Sequence, residues 1–220
     1  MKIDKKEVLR YLGYKNQDID KSLTDLIEVC CKEVIEVIKE SFVYEIFDIE
    51  RTNHEIFLLG STLVLKDVDI INHLSDSKKC IVLAATLGIE VDSRIAFYSR
   101  FNITKGLIMD ACATTAIESL CDELQVHIME KALTDNFQIT SRYSPGYGDF
   151  SIDNQSNILN ILEAYKKIGL SVTENNIMLP RKSVTALIGL GENATLYPKN
   201  KCKSCKNGDC DFRKDGGYCV

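Results

Sequence analysis

Residues 141–150, SRYSPGYGDF, place an arginine, a proline, two glycines and two tyrosines between two segments patterned for regular structure. Proline fixes one backbone dihedral and the following glycine permits a positive φ, so Pro145-Gly146 specifies a rigid turn that another group can approach closely. Such a turn offers backbone amides and carbonyls to a ligand. Arg142 adds a planar fork suited to a carboxylate, and Tyr147 a flat face with a hydroxyl edge. The same residues also suit an ordinary surface loop with an exposed arginine, and the local sequence leaves both readings open.

A second group with chemical potential lies at the C-terminus. Cys202, Cys205, Cys210 and Cys219 crowd into the polar run KCKSCKNGDCDFRKDGGYCV with C-x2-C-x4-C-x8-C spacing. Four thiolates can hold zinc tetrahedrally or bind an iron-sulfur cluster, whereas reduced thiols in a frayed terminus would do neither. Lys199, Lys201, Lys203 and Lys206 make this end locally basic, which suits docking to an acidic partner. The other five cysteines, Cys30, Cys31, Cys80, Cys112 and Cys121, sit inside apolar patterns and read as small buried hydrophobes.

Common catalytic templates are missing. There is no GxxxxGK[ST] phosphate loop, and the GLG at Gly189–Gly191 is followed by ENATLYP rather than by a helix, so it fails as a dinucleotide fingerprint. His54, His73 and His127 are scattered without metal-ligand spacing and read as surface or structural residues. No GxSxG announces a hydrolase.

The elements that must position the loop follow from periodicity. Asp4 and Glu7 have capping-box spacing at the start of a short helix ended by Gly13, because a cap oxygen and a later carboxylate can satisfy free backbone donors there. A second helix starts near Asp18, with Leu23, Leu26, Ile27, Cys30, Val34, Val37 and Ile38 at helical spacing. Residues 43–65 turn β-branched and aromatic, with a hairpin near Thr52–His54, and predict two or three strands. A short helix over 67–74, a buried strand over 80–88 with Gly88 at its exit, and a long helix from about Ile103 to Leu133 come next. After the 141–150 loop, a helix from about Asn154 to Ile168 closed by Gly169 precedes two strand-like runs, NNIMLP and SVTALIGLG. Helices alternating with short strands suit an α+β fold. One domain over 1–198 and a cysteine-rich tail over 199–220 is the expected organisation.

Composition agrees with a globular chain. With 220 residues, 45% of them hydrophobic, a substantial core is possible. A formal charge of −5 provides no broad basic field for nucleic acid or anionic lipid. No apolar run approaches the length of about 20 residues that spans a bilayer. The N-terminus MKIDKKEVLR lacks the apolar stretch of a signal peptide, so the cytoplasm is the expected compartment.

The order of motifs carries a resemblance. Arg142-x-x-Pro145-Gly146-Tyr147, the helix around ILNILEAYKKIGL, Gly169, Val172-Thr173-Glu174, Met178, Pro180 and Ser183-Val184 resemble, in order and at nearly the same intervals, the activation domain of cobalamin-dependent methionine synthase. The likeness is strong over about 116–197. It implies an S-adenosylmethionine site on helices around a curved, mainly antiparallel sheet, unrelated to the common methyltransferase fold. Carried over by position, Arg142 would contact the methionine carboxylate, Pro145, Gly146 and Tyr147 would shape the adenosine-facing turn, Glu118 would meet the cationic end, and Tyr197 would line the site. An N-terminal aspartate that contributes in longer members has no secure counterpart by sequence.

The implied chemistry is reductive methylation: a donor reduces cob(II)alamin, and the methyl of S-adenosylmethionine traps the product as methylcobalamin. The chain has no D-x-H-x-x-G cobalamin signature, so the resemblance implies cobalamin carried by a separate methionine synthase or related corrinoid protein. A flavodoxin- or ferredoxin-like reductant would be a second partner. Two alternatives stand beside this expectation, a non-catalytic corrinoid-protein chaperone and a redox module using the cysteine-rich tail.

Overall fold

The computed structural model describes residues 3–14 and 17–192. Two capped helices open the chain, α1 (Lys5–Tyr11) and α2 (Lys21–Val37). Asp4 accepts from the Lys6 amide at 2.8 Å and Asp20 from the Leu23 amide at 2.7 Å. Both bonds satisfy backbone donors that have no partner inside the helix. The second start therefore falls at Asp20 rather than near Asp18, because Asp20 is the residue whose carboxylate reaches the first-turn amide.

The expected β region resolves into three strands, β1 (Ser41–Arg51), β2 (Ile56–Leu58) and β3 (Val64–Leu65). The β1–β2 turn is closed by the Thr52 amide donating to the Glu55 carbonyl at 2.9 Å. Next come α3 (Val68–His73), β4 (Lys79–Thr86), α4 (Ile89–Phe101) and the long α5 (Ile103–Thr134). The rest comprises β5 (Gln138–Ile139), α6 (Asn154–Ile161), α7 (Ala164–Ile168), β6 (Ser171–Val172), β7 (Met178–Leu179) and β8 (Ser183–Gly191). The single helix expected over 154–168 is thus two. Glu163 adopts a left-handed φ of 50°, and the kink lets Leu162 and Ala164 enter the same core.

Six strands form one sheet in the order β3-β2-β1-β4-β8-β5, with every neighbouring pair antiparallel; β6 and β7 make a separate pair. β4 is central and buried on both faces. Because side chains alternate along a strand, its residues feed two different cores. Ile81 and Leu83 meet Ile128 and Ala132 of α5 on one face. Cys80, Val82 and Ala84 meet Ile70 of α3, Phe150, and Ile158 and Leu159 of α6 on the other. The N-terminal half of α5 packs with α1, α2 and α4 in a third cluster. Helices on both faces of an antiparallel sheet are the expected α+β class.

The GLG run lies inside β8, where its glycines serve packing. A Cβ at Gly189 would overlap Ser77 Oγ, and one at Gly191 the Asp76 carbonyl. All five cysteines read as core are buried. Among the described residues no helix is long and apolar enough to cross a membrane.

Candidate functional site

The loop after β5 runs alongside β8. Tyr143 and Leu187 exchange backbone hydrogen bonds at 2.9 and 2.8 Å, a single bridge that fixes residues 142–144 as an extended segment. Alternation then sends neighbouring side chains to opposite faces. Tyr143 packs into the α3 and α6 core, with its ring 4.9 Å from that of His73. Arg142 points the other way, towards α5.

There the guanidinium meets three side chains of one helical stripe. It donates to Asp122 at 2.8 Å, to Glu118 at 3.1 Å and to Gln125 Oε1 at 3.0 Å. Glu118, Asp122 and Gln125 stand at i, i+4 and i+7 of α5, so they line one face of the helix. Their polarity inside a largely apolar helix is the signal that motif reading passed over for Asp122 and Gln125. The Arg142 side chain is only 7% exposed, whereas those of Glu118 and Asp122 are 46% and 51% exposed. Burial disfavours the guanidinium charge, but facing groups, Cys121, Asp122 and Glu118, outweigh it and raise the Arg142 pKa above its ordinary value. The arginine is a fixed cation beneath two half-exposed carboxylates. Gln125 is in turn held by Nε2 donating to the Thr140 carbonyl at 3.2 Å, so the arrangement is braced from the end of β5.

Glu118 and Asp122 open on a cleft of about 550 Å3 between α5 and α1. Asp4, Glu7 and Tyr11 form the α1 side. Small-molecule sites typically enclose roughly 300–1,000 Å3, and the cleft falls within that range. Its walls are acidic, which suits a cationic group. Asp4 is the residue that sequence reasoning assigned only to capping; that it also faces the Glu118 side of the cleft depends on how α1 packs on α5, which no local pattern reveals. Burial of the Tyr11 ring, with Glu118 nearby, raises its hydroxyl pKa.

Pro145 and Gly146 build the expected turn. The Tyr147 amide donates to the Ser144 carbonyl at 3.2 Å, and Gly146 has φ 92°. This is the geometry of a type II turn with proline and glycine in their preferred positions. Pro145 is buried and Tyr147 is 64% exposed. The structure thus brings Glu118 and Arg142 into contact, but of the expected residues only Glu118 lines the cleft; Arg142 lies behind Glu118 and Asp122, and Pro145, Gly146 and Tyr147 do not line it either. Tyr197 and the four tail cysteines, Cys202, Cys205, Cys210 and Cys219, lie outside the described residues. Among the described residues, no group of three or more His, Cys, Asp or Glu is placed to hold a metal ion.

The turn is anchored from 80 residues away in the chain. Asp149 Oδ2 and Oδ1 accept from the Val68 and Asp69 amides at the start of α3, both at 2.9 Å, and Asp69 accepts from the Asp149 amide at 3.1 Å. Gly148 makes room for this exchange, since a Cβ there would overlap Asp69 Oδ2. Asp149→Ala removes a cap and is expected to destabilise the protein by about 1–2 kcal/mol, read as a lower urea midpoint with an unchanged slope.

Residues 123–215 match the family model for the vitamin B12 dependent methionine synthase activation domain. The resemblance carried by the R-x-x-P-G-Y motif is borne out. The fold agrees over a longer span: the chain is similar to a solved structure described as the MetH reactivation domain bound to AdoHcy, with a TM-score of 0.64 and 16% identity. That likeness covers 84% of this chain and 70% of the other. No curated protein matches the chain in sequence. The activation-domain match includes Arg142 and its turn, and it extends past residue 192 into the cysteine-bearing tail.

Proposed function

We propose that the cleft between α1 and α5 binds S-adenosylmethionine, and that the protein supports reductive methylation of cob(II)alamin carried by a separate methionine synthase or related corrinoid protein. The observation that carries this reading is the Arg142 guanidinium joined to Glu118 and Asp122 at the cleft, beside the segment matching the activation-domain family. S-adenosylmethionine is a zwitterion with an added sulfonium, so it needs cation-facing carboxylates and a carboxylate-facing cation close together. Glu118, Asp122 and Asp4 supply the first. Arg142 is the cation for the second: its guanidinium lies directly behind Glu118 and Asp122 and donates to both, and its planar fork suits a ligand carboxylate. Asp4 takes the place of the N-terminal aspartate for which the sequence shows no clear counterpart. AdoHcy, bound in the similar MetH structure, is the same ligand after loss of its methyl group, which supports the assignment.

The sulfonium is an activated methyl donor and needs no general base. The work left to this chain is to hold the ligand in line with an acceptor and exclude water. Cobalamin, supplied by the partner, would accept the methyl group; a flavodoxin- or ferredoxin-like donor would supply the electron. Zinc or an iron-sulfur cluster on Cys202, Cys205, Cys210 and Cys219 remains a proposal for the tail, as does a domain boundary near residue 198.

Calorimetric titration with S-adenosylmethionine tests the reading. Saturable binding with one site per chain is expected, weakened in Glu118→Gln and in Asp4→Asn, the latter keeping a capping oxygen while losing the charge. Absence of binding to the folded wild-type protein would overturn it. With a corrinoid protein and reductant present, the cob(II)alamin spectrum is expected to convert to that of methylcobalamin only when this protein and S-adenosylmethionine are both added.

A further inference from the structure

Five cysteines lie in the described core, and two of them meet across a helix–helix contact. Cys31 of α2 and Cys112 of α5 have their sulfur atoms 3.5 Å apart and share a thiol hydrogen bond, 81 residues apart in sequence. They also differ in access. Cys31 is 8% exposed and Cys112 fully buried. We propose that Cys31 and Cys112 are a reversible dithiol–disulfide pair that cross-links α2 to α5, with Cys31 as the attacking thiol and Cys112 as the resolving one.

Geometry disfavours the competing pairs. Cys30 adjoins Cys31 on a helix, where successive side chains diverge by about 100° and do not face each other. Cys121 is nine residues beyond Cys112 on α5, roughly 13 Å along the helix axis, so a sulfur in contact with one is out of reach of the other. Closing Cys31 onto Cys112 brings sulfurs that now stand 3.5 Å apart to a bond of about 2 Å, a shift within reach of side-chain rotation.

Electrostatics select the same order of events. Hydrogen bonding with Cys112 lowers the Cys31 pKa; burial opposes this, Lys5 assists and Glu28 opposes. Hydrogen bonding with Cys31, then burial, raises the Cys112 pKa. Burial pushes Cys30 up to about 11 and Cys80 up to about 12, leaving them poor nucleophiles.

The oxidant is a small-molecule disulfide. The Cys31 thiolate attacks one of its sulfurs, forming a mixed disulfide and expelling one thiolate; Cys112 then attacks the Cys31 sulfur and expels the second. One protein disulfide and two small thiols result, and the two protons released by Cys31 and Cys112 end on those thiols. The bond would pin α2, which holds α1 through the Lys5–Glu28 ion pair, to the helix that carries Glu118.

The test treats the full chain, folded, with oxidised glutathione and digests it with trypsin without reduction. A cross-link is expected between the peptides of residues 22–32 and 106–131, with fragmentation placing it at Cys31 and Cys112. It should vanish in Cys31→Ser and Cys112→Ser and persist in Cys30→Ser and Cys121→Ser. Cys112→Ala should instead accumulate a glutathione adduct on Cys31. A wild-type protein that stays fully reduced, or holds a stable adduct on Cys31 without the cross-link, overturns the proposal. So does a link that fragmentation assigns to Cys30 or Cys121. Because the wild-type map alone decides, a variant that fails to fold does not leave the question open, and S-adenosylmethionine binding is not needed for either result.

Discussion

Arg142→Ala is expected to weaken S-adenosylmethionine binding by roughly tenfold to a hundredfold, the equivalent of losing a charged hydrogen bond of about 1.5–3 kcal/mol. The loss has two sources. The ligand carboxylate loses its cation, and Glu118 and Asp122 lose the group that fixes them at 3.1 and 2.8 Å. Left unpaired on adjacent turns, the two carboxylates repel each other and swing into solvent. Stability should fall as well, because the Gln125 Oε1 that accepts from Arg142 belongs to a residue only 2% exposed. An unsatisfied buried acceptor costs about 1–3 kcal/mol. Arg142→Lys separates the two effects. Lysine retains the charge but replaces the planar guanidinium fork with a compact ammonium that cannot reproduce its bidentate geometry, so it should recover part of the stability and little of the affinity. Parallel titration calorimetry and urea unfolding of the three proteins measure both quantities; wild-type affinity in a folded Arg142→Ala protein would remove Arg142 from the site.

The turn beside the proposed site could be read from residues 141–150 because the chemistry there is local. A type II turn needs proline and then a residue tolerant of positive φ, and Ser144-Pro145-Gly146-Tyr147 satisfies that in any context. The side of the sheet to which Arg142 points is also local once Tyr143 is known to pair with Leu187. What the loop meets is not local. Asp122 and Gln125 belong to no motif and gain a role only where α5 lies beside the β5–β8 edge, and Asp4 reads as a cap until α1 is packed on α5. Asp149 caps a helix 80 residues earlier in the chain, a pairing that no spacing rule encodes.

The same division holds for the fold. Strands β1, β4 and β8 and helix α5 follow from strong periodicity, which survives packing. The break between α6 and α7 does not, since Glu163 is neither proline nor glycine and takes its left-handed φ because two flanking residues share one core. Asp18 and Asp20 are equally good caps by residue type, and only the contact with Leu23 distinguishes them. Misreadings cluster where two local solutions are nearly equal and tertiary contact chooses.

The helical layer behind the cleft depends on one close crossing, and Gly106→Ala tests it. Gly106, in the first turn of α5, faces the end of α4; a Cβ there would lie 2.8 Å from the Ser99 amide nitrogen and 2.9 Å from its Cα. Two effects oppose each other. Alanine is favoured over glycine inside a helix by about 1 kcal/mol. Overpacking against backbone costs typically about 1–3 kcal/mol because neither helix has a flexible group to move aside. The clash should win, giving a net loss of up to about 2 kcal/mol, the difference of those two terms. Val91 of α4, and Ile108 and Met109 of α5, lie in the cluster that also holds Cys31 and Cys112. Forcing α4 away from α5 therefore strains the layer on which α1 and the cleft wall rest. A lower thermal midpoint is expected, with a smaller and indirect loss of S-adenosylmethionine affinity that recovers at low temperature. Ser99→Gly supplies the control: it leaves the backbone atoms where they are, so it should not relieve the clash. Full rescue by Ser99→Gly would show that the side chain, not the backbone crossing, sets the limit.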